Sequence, residues 1–137
     1  MKIRFLTNFI HYFQVGHVNC ALEVTPVSSE VVGVIDTSVS LVCSSSSKPI
    51  LCLWKTPYGH VYTLSEGVFA ESGRLRHKED TRQQQCGIEI VGLQQQDNGE
   101  WMCEVGALIG DTFQTETAHI NLQVKRKTVS CFFFIFQ

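Results

Sequence analysis

Six cysteines are the residues with the most chemistry available to them in this chain. No two of them have the C-x-x-C spacing that a zinc ribbon or a thioredoxin-like redox site needs. Widely spaced cysteines that begin or end alternating apolar runs are typical of disulfides formed in an oxidising compartment. Spacing alone permits many pairings. The cysteines are Cys20, Cys43, Cys52, Cys86, Cys103 and Cys131.

Histidine and serine offer no catalytic arrangement. His60, His77 and His119 have no cysteine or carboxylate at ligand or triad spacing, so we expect them to be solvated surface residues. The serine run at 44–47 lacks the context of a nucleophile elbow, and no glycine-rich phosphate loop occurs. The sequence therefore predicts no enzyme, no metal site and no cofactor.

Length and composition indicate one globular domain with short flanks. The chain has 137 residues, of which 44% are hydrophobic and 18% charged. Its net charge is −2, with acidic and basic residues interspersed, which disfavours nucleic acid as a partner.

The elements that must position these cysteines are short alternating strands. Period-2 alternation marks 38–43, 86–91 and 118–124, and Pro26 interrupts a looser run over 22–34, as in a split edge strand. Turn residues separate the runs, a turn is expected at 106–111, and no helical stripe occurs. These features predict an all-β fold, an antiparallel sandwich of two sheets.

A motif that begins at Cys43 strengthens this interpretation. Trp54 follows Cys43 by eleven residues, and a D-x-G-x-W-x-C run ends at Cys103. The combination resembles the immunoglobulin-like sandwich of the variable or intermediate type, over residues 21–124. The resemblance implies a bridge between Cys43 and Cys103 across the two sheets, packed against a tryptophan. The expected core residues are Trp54, Trp101, Leu41, Ile88, Ile90 and Leu93.

Cys52 and Cys86 form the second cysteine pair in this frame. In the implied sandwich their strands lie on opposite sheets and run in the same direction, and strand parity points both inward, together with Ile50. We expect a second inter-sheet bridge near one end of the sandwich; two separate buried thiols are the alternative. The C-x-W and C-G-I-x-I arrangement is similar to the first domain of fasciclin-three-type neural adhesion proteins.

The D-x-G-x-W-x-C run departs from the family at one residue. Trp101 stands where the corner tyrosine is usual, and its indole N–H is only a donor, so the tyrosine's bond to upstream backbone cannot be copied unchanged. Asp97 is expected either to pair with an arginine or to cap its own turn. The candidate arginines are Arg74, Arg76 and Arg82. The last strand also lacks the G-x-G bulge of antigen-receptor variable domains.

The candidate binding surface lies on outward strand positions. Parity places Leu51 and Leu53 outward beside Met102 and Glu104, with Leu53 and Met102 at the centre of an apolar patch. Tyr62 and His119 are expected at its margins. A predicted loop over 106–112, with Leu108 and Ile109 at its tip, is the second candidate. The competing view is that scattered exposed apolar residues are normal.

The two ends of the chain are expected to lie outside the domain, which spans 21–125. Residues 1–20 have the outline of a signal peptide, with cleavage after Cys20, and 126–137 form a short tail. The apolar run 132–136 is too short to span a bilayer, so no membrane span is expected.

These features together favour an extracellular recognition domain that binds itself or another cell-surface protein in cell adhesion. A small secreted defence effector on the same scaffold is the alternative.

Overall fold

The computed structural model describes residues 21–63, 73–78 and 84–128. Within them the chain forms nine strands and one short 3₁₀ turn, Gln95–Asp97. The strands are β1 (Val24–Pro26), β2 (Glu30–Val34), β3 (Val39–Ser45), β4 (Leu51–Lys55), β5 (Val61–Thr63), β6 (Leu75–His77), β7 (Gln85–Ile90), β8 (Gly99–Ile109) and β9 (Thr112–Lys125).

The strands form two sheets. One has four strands in the order β1-β3-β7-β6, and the other has five in the order β2-β9-β8-β4-β5. All strand pairs are antiparallel except β2 with β9, which run parallel. The predicted all-β two-sheet sandwich is confirmed, with one parallel pair at an edge.

The interruption at Pro26 divides the first run between the two sheets. β1 pairs with β3 and places Pro26 opposite Cys43, and the chain then crosses over so that β2 pairs with β9. A proline has no N–H to donate, so it is tolerated at the end of an edge strand such as β1.

The core lies between the sheets and is built from the alternating inward positions. All six residues expected there are fully buried, at 0% exposure, and they come from both sheets. Close packing of such side chains supplies most of the favourable free energy of folding. The six are Leu41, Trp54, Ile88, Ile90, Leu93 and Trp101.

Two disulfides cross this core, and both pairings predicted above are confirmed. Cys43–Cys103 joins β3 to β8, and Cys52–Cys86 joins β4 to β7. Cys43 and Cys86 are direct partners in the β3–β7 register. The second bridge therefore lies beside the first. It joins the second residue of β4 to the second residue of β7, near one end of these strands, as expected.

The turn before β8 satisfies its polar groups in an unexpected way. Trp101 Nε1 donates to the backbone oxygen of Asp97 at 2.8 Å, so the indole makes an upstream bond of the kind that the corner tyrosine usually provides. Asp97 both forms an ion pair with Arg74 and accepts a 2.8 Å bond from the backbone N–H of Gln94. Ion pairing and capping, considered above as alternatives, occur together.

Of the other two candidate arginines, only Arg76 is among the described residues. Arg76 pairs with Glu89 on the neighbouring strand β7. Arg82 lies outside the described residues.

Two local predictions are wrong. The expected turn at 106–111 is mostly strand, because β8 continues to Ile109 and only Gly110 and Asp111 connect it to β9. Gly110 has φ 62°, a conformation that glycine adopts without a steric penalty. Ile50, expected inward, is 60% exposed because it precedes β4, where strand parity does not yet apply.

Several predictions fall outside the described residues. They are the signal peptide over 1–20, Cys20, Cys131, and the tail beyond residue 128. Within the described ranges, no helix has the length and apolar character needed to cross a membrane.

Candidate protein-binding face

The outer surface of the five-stranded sheet presents the residues that strand parity predicted. Leu53 lies opposite Glu104 across β4 and β8, and Met102 lies opposite His119 across β8 and β9. Leu51 lies opposite Gly106 in the same register. Because directly paired residues share a face of the sheet, these side chains all point away from the core. Leu51, Leu53, Met102 and Glu104 are half-buried among their neighbours.

Phe113 also belongs to this face, although the sequence analysis did not predict it there. It lies opposite Leu108, and these two side chains are 50% and 55% exposed. A Cβ added to Gly106 would lie 2.5 Å from the Phe113 ring and 3.1 Å from Leu51 Cβ. The ring therefore covers the glycine and reaches towards β4. The outward alternation of the last strand, traced back from His119, could have revealed Phe113 if the strand's early start had been recognised.

These side chains form one group, the outer apolar cluster. It extends across β4, β8 and β9, and Gly106 leaves the space that the Phe113 ring fills. The cluster is defined as Leu51, Leu53, Met102, Leu108 and Phe113.

Tyr62 does not belong to the face, and its predicted place at the margin is wrong. Tyr62 lies opposite Trp54 in the β4–β5 register, so it shares the inward face of that tryptophan and packs against the core. Val61, opposite Lys55, takes the outward edge position instead. The strand-like sequence at β5 is too short for alternation to show which of its side chains face the core.

Ile109 is also separated from the cluster. Leu108 and Ile109 are consecutive strand residues, so they point to opposite faces of the hairpin. Leu108 is exposed and Ile109 is partly buried. Only Leu108 of the predicted loop tip contributes to the outer surface.

Charged groups of both signs border the cluster. Lys55 lies beside Met102, and Glu104 lies beside Leu53. His119 Nδ1 is 2.7 Å from Glu100 Oε1, and both side chains are more than half exposed. An apolar centre with a polar border is the arrangement that protein interfaces commonly show.

A separate aromatic contact joins the β4–β5 turn to the core. The Tyr58 ring meets the Trp101 ring edge-on at 6.4 Å. Burial raises the pKa of the Tyr58 phenol, and nearby Tyr62 and Asp97 act in the same direction. Arg74 has the opposite, smaller effect on this pKa. Neither ring is part of the outer apolar cluster.

Within the described ranges, no group of three or more histidine, cysteine or acidic residues is placed to hold a metal ion. No protein-family model matches the chain. A search of curated proteins also found no match.

Proposed function

We propose that this chain is an extracellular recognition domain of the immunoglobulin-like type, and that it acts in cell adhesion by binding a second copy of itself. The outer apolar cluster is the binding surface. The two disulfides support this setting, since such bridges form and persist in oxidising compartments.

The observation that carries the proposal is the continuity of the cluster across three paired strands. Leu108 and Phe113 leave about half of their surface in solvent, next to the half-buried leucines of β4. Contiguous apolar patches of this kind mark interaction sites more often than isolated exposed residues do.

Rigidity of the scaffold favours the same interpretation. The cluster lies on regular strands whose inward faces are buried and are joined to the opposite sheet by disulfides. Binding through such a surface orders few additional groups, so more of the contact free energy appears as affinity.

The charges beside the cluster favour a second copy as the partner. Lys55 and Glu104 are diagonal neighbours on β4 and β8, on either side of Leu53 and Met102. Consider a two-fold axis that is parallel to the sheet and runs along the diagonal from Leu53 to Met102. This axis brings Lys55 of each copy against Glu104 of the other. Leu53 and Met102 then meet their own copies, as an isologous interface requires.

Self-association of the purified domain tests the proposal. Sedimentation equilibrium is expected to show a reversible dimer, and Leu53→Arg is expected to weaken it at least about tenfold because a charge would be buried. Val27→Arg is the matched control, since Val27 is an exposed apolar residue outside the face.

A charge exchange tests the geometry of the contact. Lys55→Glu and Glu104→Lys are each expected to weaken the dimer, and the double variant is expected to recover it. A wild-type protein that stays monomeric at millimolar concentration rejects the second copy as partner. Equal losses in Leu53→Arg and Val27→Arg reject the face.

A further inference from the structure

Cys52 lies between the two leucines that β4 contributes to the outer apolar cluster. Its side chain points into the core and is joined to Cys86, whereas Leu51 and Leu53 point outward. One short strand segment thus carries a covalent link on one face and the candidate contact residues on the other.

The first half of β4 has little else that attaches it to the core. The inward side chains of the strand are Cys52 and Trp54, and the preceding Ile50 is mostly exposed. On one side β4 pairs with the long strand β8, but on the other it meets only the three-residue β5. Segments with few buried apolar contacts open locally at low free-energy cost.

We propose that the Cys52–Cys86 bridge is a positioning element that holds Leu51 and Leu53 in place on the outer face. The Cys43–Cys103 bridge instead holds the sandwich together. The inference rests on the proposed function in that it assigns the bridge to the same face, but its effect on β4 is measurable without any partner.

The neighbouring bridge explains why the two roles are separable. Cys43–Cys103 ties β8, the strand that pairs with both β4 and β9, to β3 directly beside the second bridge. Trp54 stays fully buried at the other half of β4. Loss of Cys52–Cys86 is therefore expected to release Leu51 to Leu53 while the two sheets stay packed.

Amide hydrogen exchange of the Cys52→Ala/Cys86→Ala variant tests the inference. Ile90→Ala is the matched control, because it truncates a buried side chain on the same strand as Cys86. Urea is adjusted until the two variants have equal global stability. The amides of 51–53 are expected to exchange at least about tenfold faster in the double-cysteine variant than in the control, while β9, which does not pair with β4, exchanges equally in both.

The outcomes separate this inference from the proposed function. Equal exchange of 51–53 in the two variants overturns the positioning role, whether or not the protein self-associates. Faster exchange of 51–53 supports it, even if Leu53→Arg shows that the face binds nothing. If Cys52→Ala/Cys86→Ala does not fold, Cys52→Val/Cys86→Ala is measured, and failure of both to fold overturns the inference.

Discussion

Cys43 and Cys86 face each other across two paired strands of one sheet, yet each is bonded to a different strand of the opposite sheet. Their partners, Cys103 and Cys52, lie on the adjacent strands β8 and β4. Two neighbouring strand pairs are therefore clamped side by side, one through β8 at the centre of the five-stranded sheet and one through the adjacent strand β4. Both strands carry residues of the outer apolar cluster on their other face.

Removal of the Cys43–Cys103 bridge is expected to lower the free energy of unfolding by about 4 kcal/mol. The bridge closes a loop with a sequence separation of 60 residues, and in the chain-entropy model the loss rises with the logarithm of that length. The separation of 34 residues for Cys52–Cys86 predicts a loss smaller by less than about 1 kcal/mol. Urea unfolding of Cys43→Ala/Cys103→Ala and Cys52→Ala/Cys86→Ala measures both values. A loss well under 1 kcal/mol for the first variant would contradict the clamp.

Trp101→Phe is expected to be less stable than Trp101→Tyr by about 1 to 3 kcal/mol. Both changes leave the same ring size, but phenylalanine cannot donate to the buried backbone oxygen of Asp97, and an unsatisfied buried polar group costs that much. Tyrosine keeps a donor in its hydroxyl. Thermal and urea unfolding of the two variants provide the comparison. Equal stabilities would show that the Trp101 bond adds nothing to the corner.

Asp97→Ala is expected to lower the free energy of unfolding by about 3 kcal/mol. Asp97 is fully buried, and removing it leaves the Arg74 charge and the Gln94 N–H without this carboxylate. Glu89→Ala is the matched control because its partner Arg76 is largely exposed, so that pair is expected to contribute less than about 1 kcal/mol. Urea unfolding of both variants measures the two losses of unfolding free energy. Similar losses would mean that burial does not strengthen the Asp97 pair.

Stability is expected to fall as the pH rises above the ordinary tyrosine value, in part through Tyr58. Burial is the main cause that raises the pKa of the folded-state phenol above the ordinary tyrosine value of 10.0. The unfolded chain therefore ionises first, and the stabilisation present below pH 10 is lost as the pH rises through the folded-state pKa. Urea unfolding between neutral and alkaline pH measures this slope. Tyr58→Phe is expected to reduce it, and an unchanged slope would remove Tyr58 as a cause.

Gly106→Ala is expected to destabilise the fold by about 1 to 3 kcal/mol through overpacking under the Phe113 ring. The added methyl would lie 2.5 Å from the ring, so the ring has to move. Phe113→Ala removes the ring that the added methyl would meet. In that background, Gly106→Ala is expected to be much less destabilising. A double-mutant cycle in urea tests the coupling. Additive losses would show that the ring does not cover Gly106.

Local sequence was sufficient for the architecture and most of the core. Period-2 alternation identifies which side chains of a strand share a face, and this placed Leu41, Ile88 and Ile90 inward without knowledge of any contact. The immunoglobulin-like resemblance placed Trp54 inward, and the parity of β4 followed from it. The same parity placed Leu53 and Met102 outward, on what became the outer apolar cluster.

Only the tertiary structure decided the features that depend on register. Alternation within one strand does not say where that strand begins or which residue of another strand lies opposite. Phe113 became part of the face because β9 begins at Thr112, and Tyr62 turned inward because it lies opposite Trp54. The side-by-side bridges likewise follow from the pairing of Cys43 with Cys86, a relationship between residues far apart in the chain.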